Sequence, residues 1–228
     1  MPPKKTAPGR QAKRAILIVD DHPMIRRGLA ALIDGEPDLT VCGQASSCQE
    51  ALQAIGQDKP DLAIVDLGLE GSDGLDLVKE IKALHPEVLT MVLSMHDESL
   101  YAERAINAGA RGYLTKLQLD DTILVAIRRV LDGEIYLSGK MSARFAAIYF
   151  GGRTLKDDSP LAVLSDRELE VFRLIGQGLG TREIAVRLHL SPKTIESHRE
   201  HLKQKLTLDS GTALVRRATH WVDTGEAS

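Results

Sequence analysis

Ile16-Leu17-Ile18-Val19-Asp20-Asp21 is an apolar run that stops on a pair of carboxylates, and three later runs stop in the same abrupt way. Leu62-Ala63-Ile64-Val65 ends on Asp66, Leu89 to Leu93 on Ser94, and Tyr113-Leu114-Thr115 on Lys116. Short unbroken apolar runs are what strands buried on both faces look like, as in a parallel sheet. If these runs are parallel strands of one sheet, their polar endings share its carboxyl edge, where open α/β sheets bind ligands. Three carboxylates, a hydroxyl and an ammonium then meet in one crevice. Such a set can hold a divalent cation and can accept a phosphoryl group on one carboxylate.

The segments between the runs have helical period. Met24, Ile25, Leu29, Leu32 and Ile33 recur on one face, as do Leu75, Leu77, Val78, Ile81 and Leu84. With Leu39 to Val41 as a short second strand, the alternation predicts five βα units and helices near 23–34, 47–57, 74–84, 98–108 and 120–132. Crossovers of that length are what parallel neighbours need. Asp73 and Asp76 are read as helix N-terminal residues, where acidic groups suit the dipole. His22, His85 and His96 lack spaced partners and read as surface residues.

The pattern breaks after Gly133. Residues 136–160 hold one weak helical stretch, Lys140 to Tyr149, and then Gly151-Gly152 and Lys156-Asp157-Asp158-Ser159-Pro160, which read as a linker. From Leu161 to about residue 223 the chain changes character. Ser165-Asp166-Arg167-Glu168 is a capping box before Leu169, Phe172 and Ile175. Gly178-Leu179-Gly180 ends that helix, and Thr181 is read as the cap of a short helix with Ile184, Ala185 and Leu188 inside. Ser191-Pro192, a cap followed by proline at the first helical position, opens a third helix that runs to about Leu206. Two helices joined by a tight turn make a helix-turn-helix. In the third helix Ile195, Leu202 and Leu206 face inward and Lys193, Glu196, Ser197, Glu200, Lys203 and Gln204 outward. On spacing alone that outer face fits either a DNA major groove or plain solvent, and Glu196 and Glu200 would be repelled by phosphates unless they accept from cytosine amines or orient Arg199 and Lys203.

The 228 residues suffice for two domains, and the net charge of −3 conceals an asymmetry. Residues 15–135 carry 10 Lys+Arg against 21 Asp+Glu, residues 161–222 carry 10 against 7, and the first fourteen hold five basic residues and no acidic one. An acidic module suits cations and a basic one suits phosphates. The basic, Pro-containing tail of residues 1–14 reads as disordered, and residues 224–228 as a short tail. No apolar stretch is long enough to span a bilayer, and the start has no apolar signal core, so the expected location is cytoplasmic. Cys42 and Cys48 lack C-x-x-C spacing and read as incidental thiols.

These residues carry a resemblance. Val19-Asp20-Asp21-His22-Pro23, the stretch from Asp66 to Gly74, Leu93-Ser94 and the stretch from Ala108 to Lys116 resemble the receiver domain of bacterial two-component response regulators over residues 15–135. Leu164 to Glu168, Glu183-Ile184-Ala185, Leu190 to His198 and Lys205-Leu206 resemble the LuxR-type DNA-binding domain. Together they are similar to the NarL/FixJ type. The resemblance implies an α/β, doubly wound (βα)5 flavodoxin-like receiver and a second, smaller all-α helix-turn-helix domain. It implies that Asp66 takes a phosphoryl group from a sensor histidine kinase and that Mg2+ (or Mn2+) sits on Asp20, Asp21, Asp66 and the Gly68 carbonyl. Lys116 and Ser94 would hold the phosphoryl oxygens, and Tyr113 would turn inward as the switch. Double-stranded promoter DNA would meet Lys193, Glu196, Ser197 and Glu200 at base edges and Thr181, Arg182, Arg199 and Lys203 at phosphates, with Thr194 also among the DNA-binding residues. A homodimer is expected, with Leu214, Val215, Ala218 and Trp221 on the closing helix as its candidate surface, although Leu214 and Val215 fit packing on the third and first helices of the domain equally well. Three positions depart from the family's habit: Glu70 where proline is common, Met95 where a small residue is common, and Leu117 where proline or a small residue is frequent. Two rival functions are an aspartyl-phosphate phosphatase of the haloacid dehalogenase type, which would carry a second Asp where Gly68 stands, and a binding module independent of phosphorylation.

Overall fold

The apolar runs form one sheet. In the computed structural model the strands are β1 (Arg14–Val19), β2 (Leu39–Ala45), β3 (Leu62–Val65), β4 (Leu89–Ser94) and β5 (Gly112–Thr115), in the spatial order β2-β1-β3-β4-β5 and parallel throughout. The structure describes residues 13–69, 73–95, 98–118, 122–151, 160–188 and 190–224. The expectations for the tail before residue 13, Glu70, His96, the run Lys156 to Ser159, His189 and the last four residues fall outside these. The second strand is longer than Leu39 to Val41 because it bulges: Val41 faces Ile16 and Gly43 faces Leu17, which leaves Cys42 out of register.

The helices are α1 (Pro23–Asp34), α2 (Cys48–Asp58), α3 (Gly74–Leu84), α4 (Glu98–Ala108) and α5 (Thr122–Leu131). Side chains alternate across the strands, so each face of the sheet has its own core. Ile16, Ile18, Ile64, Met91 and Leu93 pack with α1 and α5, while Leu17, Val19, Ala63, Val65 and Val92 pack with α2, α3 and α4. The helical stripes are narrower than the sequence suggests. Leu29 and Ile33 are buried, but Met24 and Leu32 on α1 and Leu84 on α3 are exposed. Gly133, at φ +87°, ends the α5 segment in the left-handed region. The chain then returns to the sheet edge, where the Tyr113 N–H donates to the Tyr136 carbonyl at 2.9 Å, and α6 (Gly139–Gly151) follows.

A short 3-10 turn, Pro160–Val163, leads into α7 (Asp166–Gly176), α8 (Thr181–Arg187), α9 (Pro192–Lys205) and α10 (Gly211–Thr224). The capping box is present: Ser165 Oγ accepts from the Glu168 N–H at 3.3 Å and Glu168 accepts from the Ser165 N–H at 2.7 Å. Lys205 reaches the same Glu168 carboxylate at 2.7 Å and so ties the end of α9 to the start of α7. Ser191 caps α9 through the Thr194 N–H, with Pro192 in its first turn. Thr181 does not cap α8: it is the first helical residue, Gly180 is the cap, and Glu183 accepts from the Gly180 N–H. The closing helix is also a correction. Leu214, Ala218 and Trp221 are buried, and the Trp221 ring lies 5.7 Å from that of Phe172 on α7, so this stripe is the domain's core and not a free dimer surface. Val215 alone of the four is exposed.

Candidate functional site

Because β1, β3, β4 and β5 are parallel and in register, their carboxyl ends come together. The Asp66 N–H continues the ladder to the Val19 carbonyl at 2.8 Å, and the Asp20 N–H does so to Ala45 at 3.1 Å. Asp20 and Asp66 are only 2 % and 4 % exposed, and Ser94 and Lys116 are buried beside them. Lys116 Nζ lies 2.6 Å from an oxygen of Asp66 and 2.6 Å from an oxygen of Asp20. Ligand atoms of Asp20, Asp21, His22 and Asp66 all fall within 4.8 Å of one another.

The electrostatics of this pocket are unbalanced. Burial pushes the Asp66 carboxyl up from its ordinary value, against the Lys116 charge, and neighbouring Asp20 adds to the rise. Burial works against the Lys116 charge too, but the Asp66 and Asp20 carboxylates outweigh it and hold the ammonium charged. One ammonium thus serves two buried carboxylates, with Asp21 at the rim. Hard anionic oxygens in excess of positive charge fit a small divalent cation such as Mg2+. Gly68, the proposed carbonyl donor, is next to the acceptor, and its backbone N–H bonds to the Asp66 carboxylate. Tyr113 is fully buried on β5. Met95 and Leu117 are exposed at 65 % and 81 %.

Three neighbours escaped the sequence reading. His22, taken there as an ordinary surface residue, has an exposed ring, but its Nδ1 lies 2.5 Å from Asp21, and its N–H donates to Asp20 at 2.8 Å. Arg26 donates to the Asp20 carbonyl. Gly74, the first residue of α3, presses on the acceptor strand: a Cβ there would overlap the Asp66 carbonyl oxygen and stand 2.6 Å from Leu67 Cα. Spacing gives no sign of these contacts, in which the Arg26 guanidinium and the His22 ring reach back across the turn that follows β1. Gly74 was quoted in the motif, and its steric reason needs the fold. Asp73 and Asp76 are where the dipole argument puts them: Asp73 caps α3 through the Leu75 N–H at 2.8 Å, and Asp76 is in its first turn.

On the second domain, Lys193, Glu196, Ser197, Glu200 and Gln204 are exposed along α9, and Ile195 and Leu202 are buried beneath them. Glu200 pairs with Lys203 at 2.8 Å. Thr194 is half-buried and shares a hydroxyl contact with Ser191 at 2.8 Å. Arg199 is half-buried, Arg182 is exposed on α8 and Thr181 is half-buried. Burial, helped by the Arg167 charge, lowers the half-buried His198 imidazole of α9 below its ordinary value.

The two domains touch along one seam. Arg104 on α4 donates to Asp166 at 2.7 Å and to the carbonyls of Leu161 and Leu164 at 3.2 and 2.9 Å. Lys79 on α3 bridges Asp76 at 2.9 Å and Asp166 at 3.0 Å. The seam uses α7 and leaves the outer face of α9 open.

Residues 16–128 match the response regulator receiver domain family, and residues 162–218 match the bacterial regulatory proteins of the luxR family. Oxygen regulatory protein NreC of Staphylococcus haemolyticus is 35 % identical over 207 residues, spanning 89 % of this chain and 95 % of the relative. NreC of Staphylococcus carnosus is 34 % identical over the same shares. Among solved structures, RcsB from Salmonella enterica serovar Typhimurium, bound to promoter rprA in the presence of phosphomimetic BeF3-, has a TM-score of 0.62 and 25 % identity, covering 90 % of this chain and 97 % of that one. A two-component response regulator of the LuxR family from Aurantimonas sp. SI85-9A1 has a TM-score of 0.56 and 29 % identity, covering 61 % of this chain and 99 % of that one.

Proposed function

The chain belongs to the response regulators that join a receiver domain to a LuxR-type DNA-binding domain, and we propose that phosphorylation of Asp66 controls how its second domain engages promoter DNA. The observation that carries this reading is the single lysine, Lys116, held 2.6 Å from both Asp66 and Asp20 at the carboxyl edge of the sheet. An ionised carboxylate is a nucleophile that needs no separate base. An Asp66 oxygen forms a bond to phosphorus as the donor's phosphorus–nitrogen bond breaks, and the departing imidazole of a sensor histidine kinase keeps the electron pair and takes up a proton. Asp20, Asp21, Asp66 and the Gly68 carbonyl would hold Mg2+ or Mn2+, which supplies neutralisation of the charge gathered on the phosphoryl oxygens.

Lys116 then exchanges the Asp66 oxygen for a phosphoryl oxygen, and the Ser94 hydroxyl donates to another. Ser94 ends β4, and Lys116 follows β5, the strand that packs against α4, so their movement is felt at the face that carries Arg104. Tyr113, on β5 just before Lys116, responds in the packing beneath that face. On the second domain, Lys193, Thr194, Glu196, Ser197 and Glu200 face base edges, and Thr181, Arg182, Arg199 and Lys203 contact phosphates. One such domain buries too little surface to select a genomic site, so two copies on a partly palindromic site are required. We place the protein in the cytoplasm. Among the described residues no helix is long and apolar enough to cross a membrane.

Incubation with a small phosphodonor and Mg2+, followed by intact mass measurement, tests the chemistry. A phosphoryl adduct in the wild type that is missing in Asp66→Ala supports this reading. Donor turnover with no adduct supports a phosphatase instead, and neither adduct nor turnover supports a module independent of phosphorylation.

A further inference from the structure

The seam between the domains holds a carboxyl group that the phosphorylation chemistry does not use. Asp73 stands at the start of α3, half-buried in a cleft of about 560 Å³ between α3 and the first turn of α7. Its side chain accepts a hydrogen bond from the Leu75 N–H at 2.8 Å. The nearby cations are engaged elsewhere: Arg104 and Lys79 both bind Asp166, Lys79 also binds Asp76, and Arg167, which lines the cleft, pairs with Glu170. Across the cleft α7 presents Asp166 and Glu170 toward Asp73, and α3 adds Asp76. From α4 comes the buried Tyr101 hydroxyl, whose own ionisation is pushed up by burial, with Arg173 of α7 near it. A carboxylate enclosed among carboxylates resists ionisation.

We propose that closure of α7 onto the receiver takes up one proton at Asp73, so that the two domains hold together more tightly as pH falls through neutrality. In the closed arrangement burial pushes the Asp73 carboxyl up to about 7, and Glu170, Asp76 and Asp166 push in the same direction against the Leu75 N–H. Withdrawal of α7 returns the group to water and takes Glu170 and Asp166 away, which restores a value nearer the ordinary carboxylate range. Between those two values the open form is ionised and the closed form is not. Closure there weakens by up to about tenfold per pH unit as pH rises. Above about 7 both forms are ionised and the dependence levels off.

The inference rests on the seam and not on Asp66 chemistry, so its test uses no phosphodonor. Small-angle scattering of the monomeric full-length chain, from about pH 5.5 to about pH 8.5, reads the open-to-closed ratio. The wild type is expected to expand as pH rises and to level off above neutrality, while Asp73→Asn, which keeps the helix cap, stays compact throughout. Glu170→Gln removes a facing charge that repels Asp73 only when Asp73 is ionised, so it is expected to leave the ratio of open to closed unchanged at the acid end, to lower it above neutrality, and so to flatten the profile. A wild-type profile flat with pH, an unchanged profile in Asp73→Asn, or no response to Glu170→Gln would each overturn the inference.

Discussion

The acid pocket gathers more negative than positive charge, and that imbalance governs what single side chains do there. Burial raises the Asp66 carboxyl, so the folded receiver binds a proton there that the unfolded chain has already released. The sign follows: this group's cost to stability grows as pH rises from the ordinary carboxylate value through the raised one. Asp66→Asn should therefore gain stability relative to wild type across that window when no divalent cation is present, as measured by urea denaturation at several pH values. Mg2+ should raise wild-type stability by about 2.7 kcal/mol at a hundredfold excess over its Kd. Asp21→Asn should weaken that gain at equal Mg2+. Gly74 is the steric counterpart. Gly74→Ala forces the loop that carries Asp66 to shift, at a cost of about 1–3 kcal/mol and with slower adduct formation. Asp20, Asp66, Ser94 and Lys116 were legible as a group because each ends an apolar run, and a parallel sheet brings such ends together. His22 was not, because its approach to Asp21 depends on the turn between β1 and α1 and on no spacing.

Among the elements, α9 and α10 show how far a period can be read. The inward stripe of α9 was legible, since Ser191-Pro192 fixes where the helix starts and hence which residues face in. Lys203 is partly held by Glu200, so Arg199 is the cleaner phosphate probe. Arg199→Ala should weaken DNA binding about equally for all sequences and reduce the slope of log affinity against log salt by about one. For α10 the period predicts an apolar stripe but does not say what covers it, and α7 does. Gly176 lets the two helices approach closely: a Cβ there would overlap the Ala218 backbone. Trp221→Ala should accordingly lower the stability of the DNA-binding domain by about 3–5 kcal/mol in thermal or urea unfolding, instead of shifting a monomer–dimer equilibrium. Met24 and Leu32 were misplaced for a related reason. The apolar residues of α1 spread over more than one face, and only contact with the sheet selects Leu29 and Ile33.

At the scale of the whole molecule, the receiver's α3 and α4 and the first turn of α7 form one joint. Arg104 and Asp166 lie 62 residues apart in the chain and belong to different folding patterns, so no local signal in the sequence pairs them. What the sequence did carry was the order of the parts, an acidic module followed by a basic one. The outer face of α9 is exposed while α7 is held, so the contact with the receiver does not cover it. Arg104→Ala removes three hydrogen bonds from the seam and should loosen it, with increased hydrogen exchange in the first turn of α7 and little change in the core of the sheet. The coupling between Asp66 and DNA is tested most directly by titrating the protein against DNA selected from a random pool, at one salt concentration, with and without phosphodonor and Mg2+. The account predicts that the donor raises the affinity of the wild type and leaves Asp66→Asn unchanged. Equal affinity of wild type and Asp66→Asn under phosphorylating conditions would contradict it.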